Sequence, residues 1–539
     1  MLSLLIRAII PVTAAIMLFL AYWFSWGGPF GIFTIALFAF LLLLGLYDFV
    51  QRRRVITRNY PVAARIRWLF YDLRPFLRQY IVEGDLEGTP YSFEARNLID
   101  ERARGLNDTQ PFGSERVMDK DGYSWISHSI APEKNPHRDP RVTIGNEQSS
   151  KPYNASVLNI SAMSFGALSA SAIEALNLGA KKGGFCHDTG EGGLSKYHLK
   201  HGGDIVWEIG SGYFGCRDRD GKFDPVAFAE KARNDSVKMT EIKLSQGAKP
   251  GHGGLLPAAK VTEEIAEVRQ VPAHQDCLSP RGHSAFSTPI ELLEFAEQMR
   301  NLSGGKPVGI KLCIGKQHEV LAIMKAMLKT GIYLDFIVVD GGEGGTGAAP
   351  VELSDWVGMP LDEGLLFMRN ALIGTGLKKH VRLGASGKVY SGAGLARNLS
   401  IGADWCNAAR AFMFSIGCIQ AKRCHLGTCP SGVTAQDHWR QRGIIPDVQG
   451  ERAARFHKKT VEALSEIVAS AGCKDPAELR PHHLTMRVSA VEAKLFAELH
   501  NFLPENALLD APEETPYAPF WRAADAESFA QKAPITASL

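Results

Sequence analysis

Short apolar runs alternate with glycine-rich loops and helical stretches through most of this chain from residue 156 onward. The first run, residues 157–163, precedes the loop of residues 164–167, and residues 169–181 then read as a helix. Strands that alternate with helices over roughly 250 to 300 residues are typical of a β/α barrel, whose active site lies at the carboxyl ends of its strands. The other predicted strands are residues 184–187, 242–244, 308–313, 336–339, 381–383, the run at Trp405, and 265–271, whose charged residues also suit a helix.

About eight such units predict an α/β fold of the (β/α)8, or TIM-barrel, class. The alternative is a doubly wound open sheet. A dinucleotide-binding sheet would carry its glycine fingerprint at the first strand–helix turn, and no G-x-G-x-x-G pattern occurs near Ser164. The sequence therefore favours the barrel.

Two apolar runs without charged residues begin the chain, at residues 8–26 and 30–47. Each approaches the ~20 residues that a helix needs to cross a bilayer, and the turn between them is too short to hold a domain. Tyr22, Trp23 and Trp26 gather at the turn, and arginines follow the second run at positions 52, 53, 54 and 58. This pattern predicts a transmembrane helical hairpin in the inner membrane, with the catalytic domain in the cytoplasm. The alternative is a buried hairpin of a soluble protein.

A chain of 539 residues is too long for one hydrophobic core. We expect a transmembrane hairpin over residues 1–50, a juxtamembrane linker over 51–150, the barrel over 151–450, and a helical C-terminal cap over 451–539. In the linker, residues 63–73 mix arginine with aromatic side chains, and they either lie on anionic lipid or pack on the main domain. In the cap, residues 453–471 and 490–502 have helical periodicity.

The charge and the cysteine content narrow the choice of partners. The net charge of +3 is close to balance, which argues against nucleic acid. Nine cysteines without regular extracellular pairing fit a reducing compartment, where thiols are free for metal chemistry.

Three of these cysteines, Cys418, Cys424 and Cys429, follow the spacing C-x5-C-x4-C, with Pro430 directly after the last thiol. Thiolates this close can share a metal cluster, and iron–sulfur clusters often have a proline after a ligand. Structural zinc wants four ligands, and His425 is badly placed beside Cys424 to be the fourth. The spacing favours a cluster over three unrelated buried cysteines.

The loops after the last two predicted strands suit a phosphate group. In β/α barrels this position offers backbone N–H groups and a helix N-terminus to the anion. These loops are residues 384–387, with Ser386 and Gly387, and residues 407–410, with Ala408 and Arg410. Arg410 adds a side chain that can bind an anion through two hydrogen bonds.

Three lysines stand at barrel loops or in a barrel strand. Lys311 interrupts an otherwise apolar strand, where a charge is costly unless it is paired, although a lysine at a strand end can also reach solvent. Lys243 and Lys249 flank another loop, where they either bind a dicarboxylic acid or are ordinary surface lysines.

The cysteine segment, residues 418–437, resembles the part of glutamate synthases that binds a three-iron cluster beside the FMN domain. Four more motifs occur in the family's order, so the resemblance spans roughly residues 150 to 450. They are SFGALS at 164–169, TGEGG at 189–193, QGAKPGHGG at 246–254 and GGTGAAP at 344–350.

This resemblance implies two cofactors, FMN and a 3Fe–4S cluster on the three cysteines. The phosphate at the barrel loops is then that of FMN, with Ser164, Gly166, Gly344, Gly345 and Gly347 also at the cofactor. Lys311 matches the family lysine beside the flavin, and Glu191 is similar to the active-site glutamate that relays protons. The loop with Lys243, Gln246 and Lys249 is expected to bind the substrate.

The implied reaction is the reductive amination of 2-oxoglutarate to glutamate through an imine. No cysteine precedes Cys186, and the family's glutaminase domain begins with a cysteine nucleophile, so ammonia or an amine is the expected nitrogen donor. The family's C-terminal β-helix is also not expected here. Electrons would come from a donor protein or from a partner that oxidises NAD(P)H.

The sequence departs from the family at three positions that bear on the substrate. Gly342 stands where members have histidine, Glu343 where many have aspartate, and His252 where a glutamate is common. Two other functions stay open. One is a membrane-bound flavin and iron–sulfur dehydrogenase or electron relay that acts on another amino or hydroxy acid, and the other is a scaffold or sensor on a decayed barrel.

Overall fold

A computed structural model describes residues 9–24 and 28–535, and the chain divides into two compact units, Met1–Phe93 and Glu94–Leu539. In the first unit, helix α1 spans Ile9–Trp23 and helix α2 spans Gly28–Val50. The two helices are in close contact, because a Cβ on Gly45 would lie 2.4 Å from Cγ of Pro11. Small side chains at the crossing allow apolar helices to pack this tightly.

Helix α2 is long and apolar enough to cross a membrane by length and composition, whereas α1 is shorter. Signal sequences and buried core helices can have the same length and apolar composition, so one such helix near the start of a chain is only weak support for a membrane span. The predicted turn, with Trp26, lies outside the described residues. The membrane hairpin therefore stays a proposal.

Two further helices follow α2, namely α3 at Val55–Asn59 and α4 at Ala63–Leu77, which continues as a π-helical turn over Arg78–Val82. The buried carboxylate of Asp48, near the end of α2, accepts hydrogen bonds from Val62 N and Arg65 Nη2 at 3.0 and 2.6 Å. These bonds fix the start of α4 beside the end of α2.

The second unit contains the predicted barrel, a closed ring of eight parallel strands in which the last strand pairs with the first. The α/β barrel class is therefore confirmed. The strands are β1 Leu158–Ile160, β2 His187–Asp188, β3 Ile205–Ile209, β4 Val237–Lys243, β5 Val308–Leu312, β6 Phe336–Asp340, β7 Arg382–Ser386 and β8 Trp405–Ala408.

One member of the predicted strand set is a helix, which is the alternative that its charged residues left open. Residues 265–269 of this segment lie in the helix Glu263–Arg269, which Thr262 caps by accepting a hydrogen bond from Ile265 N. The strand that sequence reasoning missed is β3, whose residues are all buried. Its fourth residue, Glu208, interrupts the apolar run.

The amino-terminal end of the barrel is closed by a β-hairpin of Arg141–Ile144 and Tyr153–Ser156. Its apolar residues join the lower barrel interior in one buried cluster. That cluster comprises Ile144, Tyr153, Ala155, Cys186, Val206, Met239, Phe336, Val338 and Trp405. Because this end is filled, polar side chains of the strands collect towards the opposite end.

Helices surround the barrel between its strands. The main ones are Ala170–Gly183, Pro225–Ala232, Pro289–Leu302, Gln317–Thr330, Leu361–Gly374, Gly392–Ile401 and Arg410–Ser415. The long helix Pro446–Ser470 covers Ala170–Gly183 at close range, since a Cβ on Gly179 would lie 2.7 Å from Cβ of Ala453.

The C-terminal cap is only partly helical. The predicted helix at 490–502 is wrong, because Leu484–Ser489 and Glu492–Leu495 form an antiparallel hairpin before the short helix Phe496–Leu499. This hairpin pairs with the distant strand Ser124–Ile126. A pairing partner so far away in sequence overrides the local helical pattern.

Candidate active site

Four acidic or basic side chains from neighbouring strands form a layer inside the barrel, which we call the charged layer: Asp188, Glu208, Glu241 and Lys311. Glu208 on β3 lies opposite Glu241 on β4, and Lys243 on β4 lies opposite Lys311 on β5. Since side chains alternate along a strand, Glu241 and Lys243 share the face of Met239, which belongs to the interior cluster. The layer therefore lies above the apolar floor, towards the carboxyl ends of the strands.

Glu208 connects two of the predicted lysines. Nζ of Lys311 lies 3.1 Å from Oε2 of Glu208, and Nζ of Lys243 lies 3.9 Å from Oε1 of the same carboxylate. Carboxylate oxygens of Asp188, Glu208 and Glu241 all lie within 4.8 Å of one another, and all three residues are buried. Three carboxyl groups this close cannot all be ionised in a buried site.

The pKa shifts follow from this geometry. Burial, with Glu208 beside it, raises the pKa of Asp188 to about 7, against the opposing effect of Lys311. Burial and Asp188 raise the pKa of Glu241 well above its ordinary value. Burial alone would lower the pKa of Lys311, but Glu208 and the nearby carboxylates raise it well above its ordinary value. The layer thus holds a charged lysine and at least one protonated carboxyl group at neutral pH.

Glu191 lies at the mouth of the barrel beside the predicted substrate lysines. Its Oε2 is 3.3 Å from Nζ of Lys243. Burial alone would raise the pKa of Glu191, but Lys243, Lys249 and Arg269 lower it below its ordinary value. Burial lowers the pKa of Lys249, with Glu191 opposing that shift. An ionised carboxylate among these cations marks a place that also suits the carboxylate of a ligand.

The loop of residues 246–254, which begins with the partly buried Gln246, is pressed against the loop that follows β6. A Cβ on Gly247 would lie 1.7 Å from the carbonyl oxygen of Gly341, so only glycine fits there. Gly247 N donates to Asp340 at 2.7 Å, and Nζ of Lys249 donates to the carbonyl of Ala348 at 3.1 Å. Two loops that the sequence motifs marked separately therefore form one wall of the mouth.

We predict that Gly247→Ala reduces turnover about 100-fold or more, because the added methyl group must push these two loops apart and displace Lys249. Steady-state kinetics of the purified variant check this result. Gly282→Ala is the matched control, since a Cβ there would meet nothing within 4 Å, and it should keep full activity. Equal activity of both variants would show that the contact between the loops is dispensable.

The predicted phosphate rim joins the ends of β7 and β8 to the loop after β6. Buried Ser386 lies 3.3 Å from Ser161, measured between their Oγ atoms. Arg410 donates from Nη2 to the carbonyl of Glu343 at 2.6 Å, and a Cβ on Gly345 would lie 2.8 Å from Nε of Arg410. The glycine loop is thus held close to the arginine of the rim.

The other predicted residues of this region have distinct settings. Gly387 has a φ of +151° and faces Leu361, Ala408 is buried at the end of β8, and Gly344 lies against the carboxylate of Asp340. A Cβ on Gly347 would meet nothing within 4 Å, so this part of the loop borders open space. Glycines beside open space and a cationic side chain make a cradle that fits the phosphate and ring of a flavin nucleotide.

Residues 164–169 connect the barrel to the cysteine segment. Gln436 donates from Nε2 to the carbonyls of Gly166 and Leu168 at 2.8 and 3.1 Å, and Ser169 N donates to the carbonyl of Val433 at 2.9 Å. On the other side of the loop, Arg269 Nη2 lies 3.3 Å from Oγ of Ser164. The loop predicted to lie at the cofactor thus contacts the segment predicted to hold the cluster.

The three cysteines lie in one partly buried bend of the chain. Burial, with the neighbouring Cys424 and Cys429 thiols, raises the pKa of Cys418 to about 12. Burial would also raise the pKa of Cys429, but Ser431 and Thr434 lower it below its ordinary value. Burial and the neighbouring Cys429 raise the pKa of Cys424, with Thr434 opposing that shift, so the hydroxyl group of Thr434 influences two of the three thiols.

The backbone of this bend adopts conformations that side chains usually avoid. Gln420 and Lys422 both have a φ of +55°, and the glycines at 417, 427 and 432 are also left-handed. Left-handed backbone costs on the order of 1 kcal/mol for a non-glycine residue and tends to persist at ligand clamps. A tight bend with three thiols and few other metal-binding groups fits an iron–sulfur cluster.

Sequence reasoning missed Glu208, Arg269 and Lys260. Lys260 is buried and donates from Nζ to the carbonyls of Ala167 and Cys424 at 2.8 and 3.2 Å. Burial lowers its pKa to about 8, against the effect of the cysteines. Glu208 and Lys260 are charged side chains in otherwise apolar local patterns, which is the signal that identified Lys311, whereas the charged residues around Arg269 give no such signal.

Comparison with known proteins decides the family. A family model described as the conserved region in glutamate synthase matches residues 128–474. The chain belongs to the glutamate synthase family. The predicted resemblance and enzyme class are confirmed, because the family's enzymes are oxidoreductases acting on CH–NH2 donors.

Relatives of this glutamate synthase family member match either most of the chain or about three fifths of it. The glutamate synthase large subunit-like protein YerD of Bacillus subtilis (strain 168) is 36% identical over 494 residues, which cover 84% of this chain and 93% of YerD. The archaeal-type glutamate synthase (NADPH) of Thermotoga neapolitana is 32% identical over 327 residues, covering 60% of this chain and 61% of that protein. The archaeal glutamate synthase (NADPH) of Archaeoglobus fulgidus is 32% identical over 335 residues and covers 62% of each chain.

Among solved structures, a flavocytochrome b2 variant with pyruvate bound matches with a TM-score of 0.43 at 11% identity, covering 83% of this chain and 97% of that one. A likeness at this level carries no argument about function.

Proposed function

We propose that this glutamate synthase family member reduces an imine of 2-oxoglutarate to glutamate, using FMN at the mouth of the barrel and a 3Fe–4S cluster on Cys418, Cys424 and Cys429. The observation that carries the proposal is the contact between two regions. The loop of residues 164–169 lies at the barrel mouth and is bonded to the cysteine segment through Gln436, Lys260 and Val433. A short, bonded path suits electron transfer from a cluster to a flavin.

In this proposal, FMN supplies the hydride chemistry and the cluster supplies single electrons. Lys243 and Lys249 bind the carboxylates of the oxo acid, and Gln246 orients it. Glu191, which is paired with Lys243, accepts or returns a proton at the substrate nitrogen. The wall made by Gly247 and Gly341 limits the access of water to the imine.

Lys311 would supply the positive charge that stabilises the electron-rich ring of a bound flavin. Glu208 fixes the position of that ammonium group and links it to Lys243. Asp188 and Glu241 hold a proton within the same layer. This proton can compensate for the negative charge that arrives with two electrons.

The nitrogen donor in this proposal is ammonia or an amine. The electron donor is a protein or a partner that oxidises NAD(P)H.

We further propose the domain division given above, with residues 1–50 anchoring the chain in the inner membrane and the barrel in the cytoplasm. The apolar helix α2 and the arginines that follow it support this orientation. Release of the full-length chain by alkaline carbonate would contradict the anchor.

An anaerobic assay tests the function. Reduced protein is mixed with 2-oxoglutarate and ammonium, and both flavin reoxidation and glutamate formation are followed. Glutamate formed in proportion to the oxidised flavin is the expected result.

The apolar helix α2 favours one alternative, a membrane-bound dehydrogenase or electron relay. Turnover with a quinone, without glutamate formation, would support that alternative and overturn the synthase.

A further inference from the structure

Helix α4 carries an apolar stripe that the described residues leave exposed. Ile66, Phe70, Leu73 and Leu77 follow one another at helical spacing, and between 36% and 58% of each residue's surface is exposed. Leu69 lies beside them on the same side and is 57% exposed. Four or five large apolar side chains along one side of a helix form a surface that water solvates poorly.

Arginines border this stripe along one edge. Arg67, Arg74 and Arg78 project about 80° to 120° around the helix from Ile66, next to the apolar side chains, and Nε of Arg78 also pairs with Oε1 of Glu83 at 2.7 Å. A concave surface runs between them, lined by Arg67, Phe70, Tyr71, Arg74, Leu77, Arg78 and Val82. Apolar side chains beside a row of arginines are the pattern of a helix that lies in the interface of an anionic bilayer.

The opposite side of α4 is already occupied within its own unit. Trp68 donates from Nε1 to Oγ1 of Thr57 at 2.9 Å, and the guanidinium of Arg54 lies 4.6 Å from the centre of its ring. Ala64 is buried. These contacts set the rotation of the helix, so that the apolar stripe and not the Trp68 side faces outward.

The start of α4 also has a fixed position along the axis of α2. Asp48 lies near the carboxyl end of that apolar helix and holds both Arg65 and the backbone of Val62. Where α2 leaves a bilayer, α4 therefore begins at the level of the lipid headgroups. A short segment with arginines at 52, 53, 54 and 58 joins the two helices at the same level.

We propose that α4 lies on the cytoplasmic surface of the membrane, with its apolar stripe among the acyl chains and Arg67, Arg74 and Arg78 on anionic headgroups. The occupant of this surface is an anionic bilayer and not a second copy of the chain. Even with Arg78 paired to Glu83, this row keeps a net positive charge, so it would repel the same row of a second copy, whereas it attracts anionic lipid. This inference does not depend on the reaction in the barrel.

The test uses the full chain reconstituted in nanodiscs of phosphatidylcholine with or without phosphatidylglycerol. The photoreactive amino acid benzoylphenylalanine replaces Phe70 on the stripe or Asp72, which is exposed on the far side, as the matched control. We expect adducts with phospholipid from position 70 to exceed those from position 72 by about fivefold, and to require the anionic lipid.

A second arm removes the charges. Arg67→Gln/Arg74→Gln/Arg78→Gln should reduce the lipid adduct at position 70 by about threefold or more, because each arginine adds to the attraction of the anionic surface. Lys134→Gln/Arg138→Gln/Lys458→Gln removes the same charge from exposed positions of the second unit and should leave the adduct unchanged. Adducts with a second protein chain, or equal labelling at positions 70 and 72, would overturn the proposal.

Discussion

Replacing Lys311 by methionine should destabilise the barrel and abolish turnover together. The side chain is 5% exposed and is bonded to the buried carboxylate of Glu208 at 3.1 Å. Without the lysine, the carboxyl groups of the charged layer lose their compensating charge, and breaking a buried ion pair in this way costs about 3–5 kcal/mol. Chemical unfolding of the detergent-solubilised chain measures this loss, and the glutamate assay should show a decrease of about 1000-fold or more.

A double variant separates the structural from the catalytic role of Lys311. Lys311→Met/Glu208→Gln removes both charges of the pair, so most of the lost stability should return, because no ionised Glu208 is left unpaired. Activity should not return, since the proposed flavin would still lack its cation. Recovery of activity in the double variant would show that Lys311 serves only to neutralise Glu208.

Replacing Cys429 by serine should remove the iron–sulfur cluster. Cys429 is buried beside Ser431 and Thr434, and its thiol is the one whose pKa these neighbours lower below the ordinary value, as a metal ligand requires. We expect the loss of acid-labile sulfide and of the cluster's electron paramagnetic resonance signal. Turnover with the electron donor should fall by about 1000-fold, because the proposed route of electrons through the cluster to the flavin would be lost.

Two controls make this expectation specific. Cys473→Ser alters another buried cysteine, in the C-terminal cap, and should retain the cluster. In Cys429→Ser, flavin reduced photochemically should still be reoxidised by the imine, because the barrel mouth is unchanged. A variant that keeps its iron and sulfide would show that these three cysteines do not hold the cluster.

The barrel could be predicted because its signals are local. Most strands are short apolar runs that end in glycine loops, and the apolar composition of each run is enough to predict that it is buried. Strand β3 was missed because Glu208 interrupts it, and the penalty for that charge is offset by Lys311 about a hundred residues later. The hairpin of residues 484–495 was missed for a similar reason, since its partner strand lies near residue 125.

The candidate site likewise combines features that the sequence predicted with features that it did not. Motifs identified the loops with Glu191, Lys249 and Gly345, but not how these loops touch. The close contact of Gly247 with Gly341 depends on the register of β4 and β6 around the barrel, which no local pattern contains. The role of Lys260 could not be predicted either, because its side chain bonds the carbonyls of residues 167 and 424, which only the folded chain brings together.

The cofactor content of the anaerobically purified full-length protein tests the central proposal most directly. We expect about one FMN and about three iron atoms per chain, measured as acid-released flavin and as iron and sulfide. Protein that contains neither flavin nor iron, or that holds zinc on its cysteines, would contradict the account.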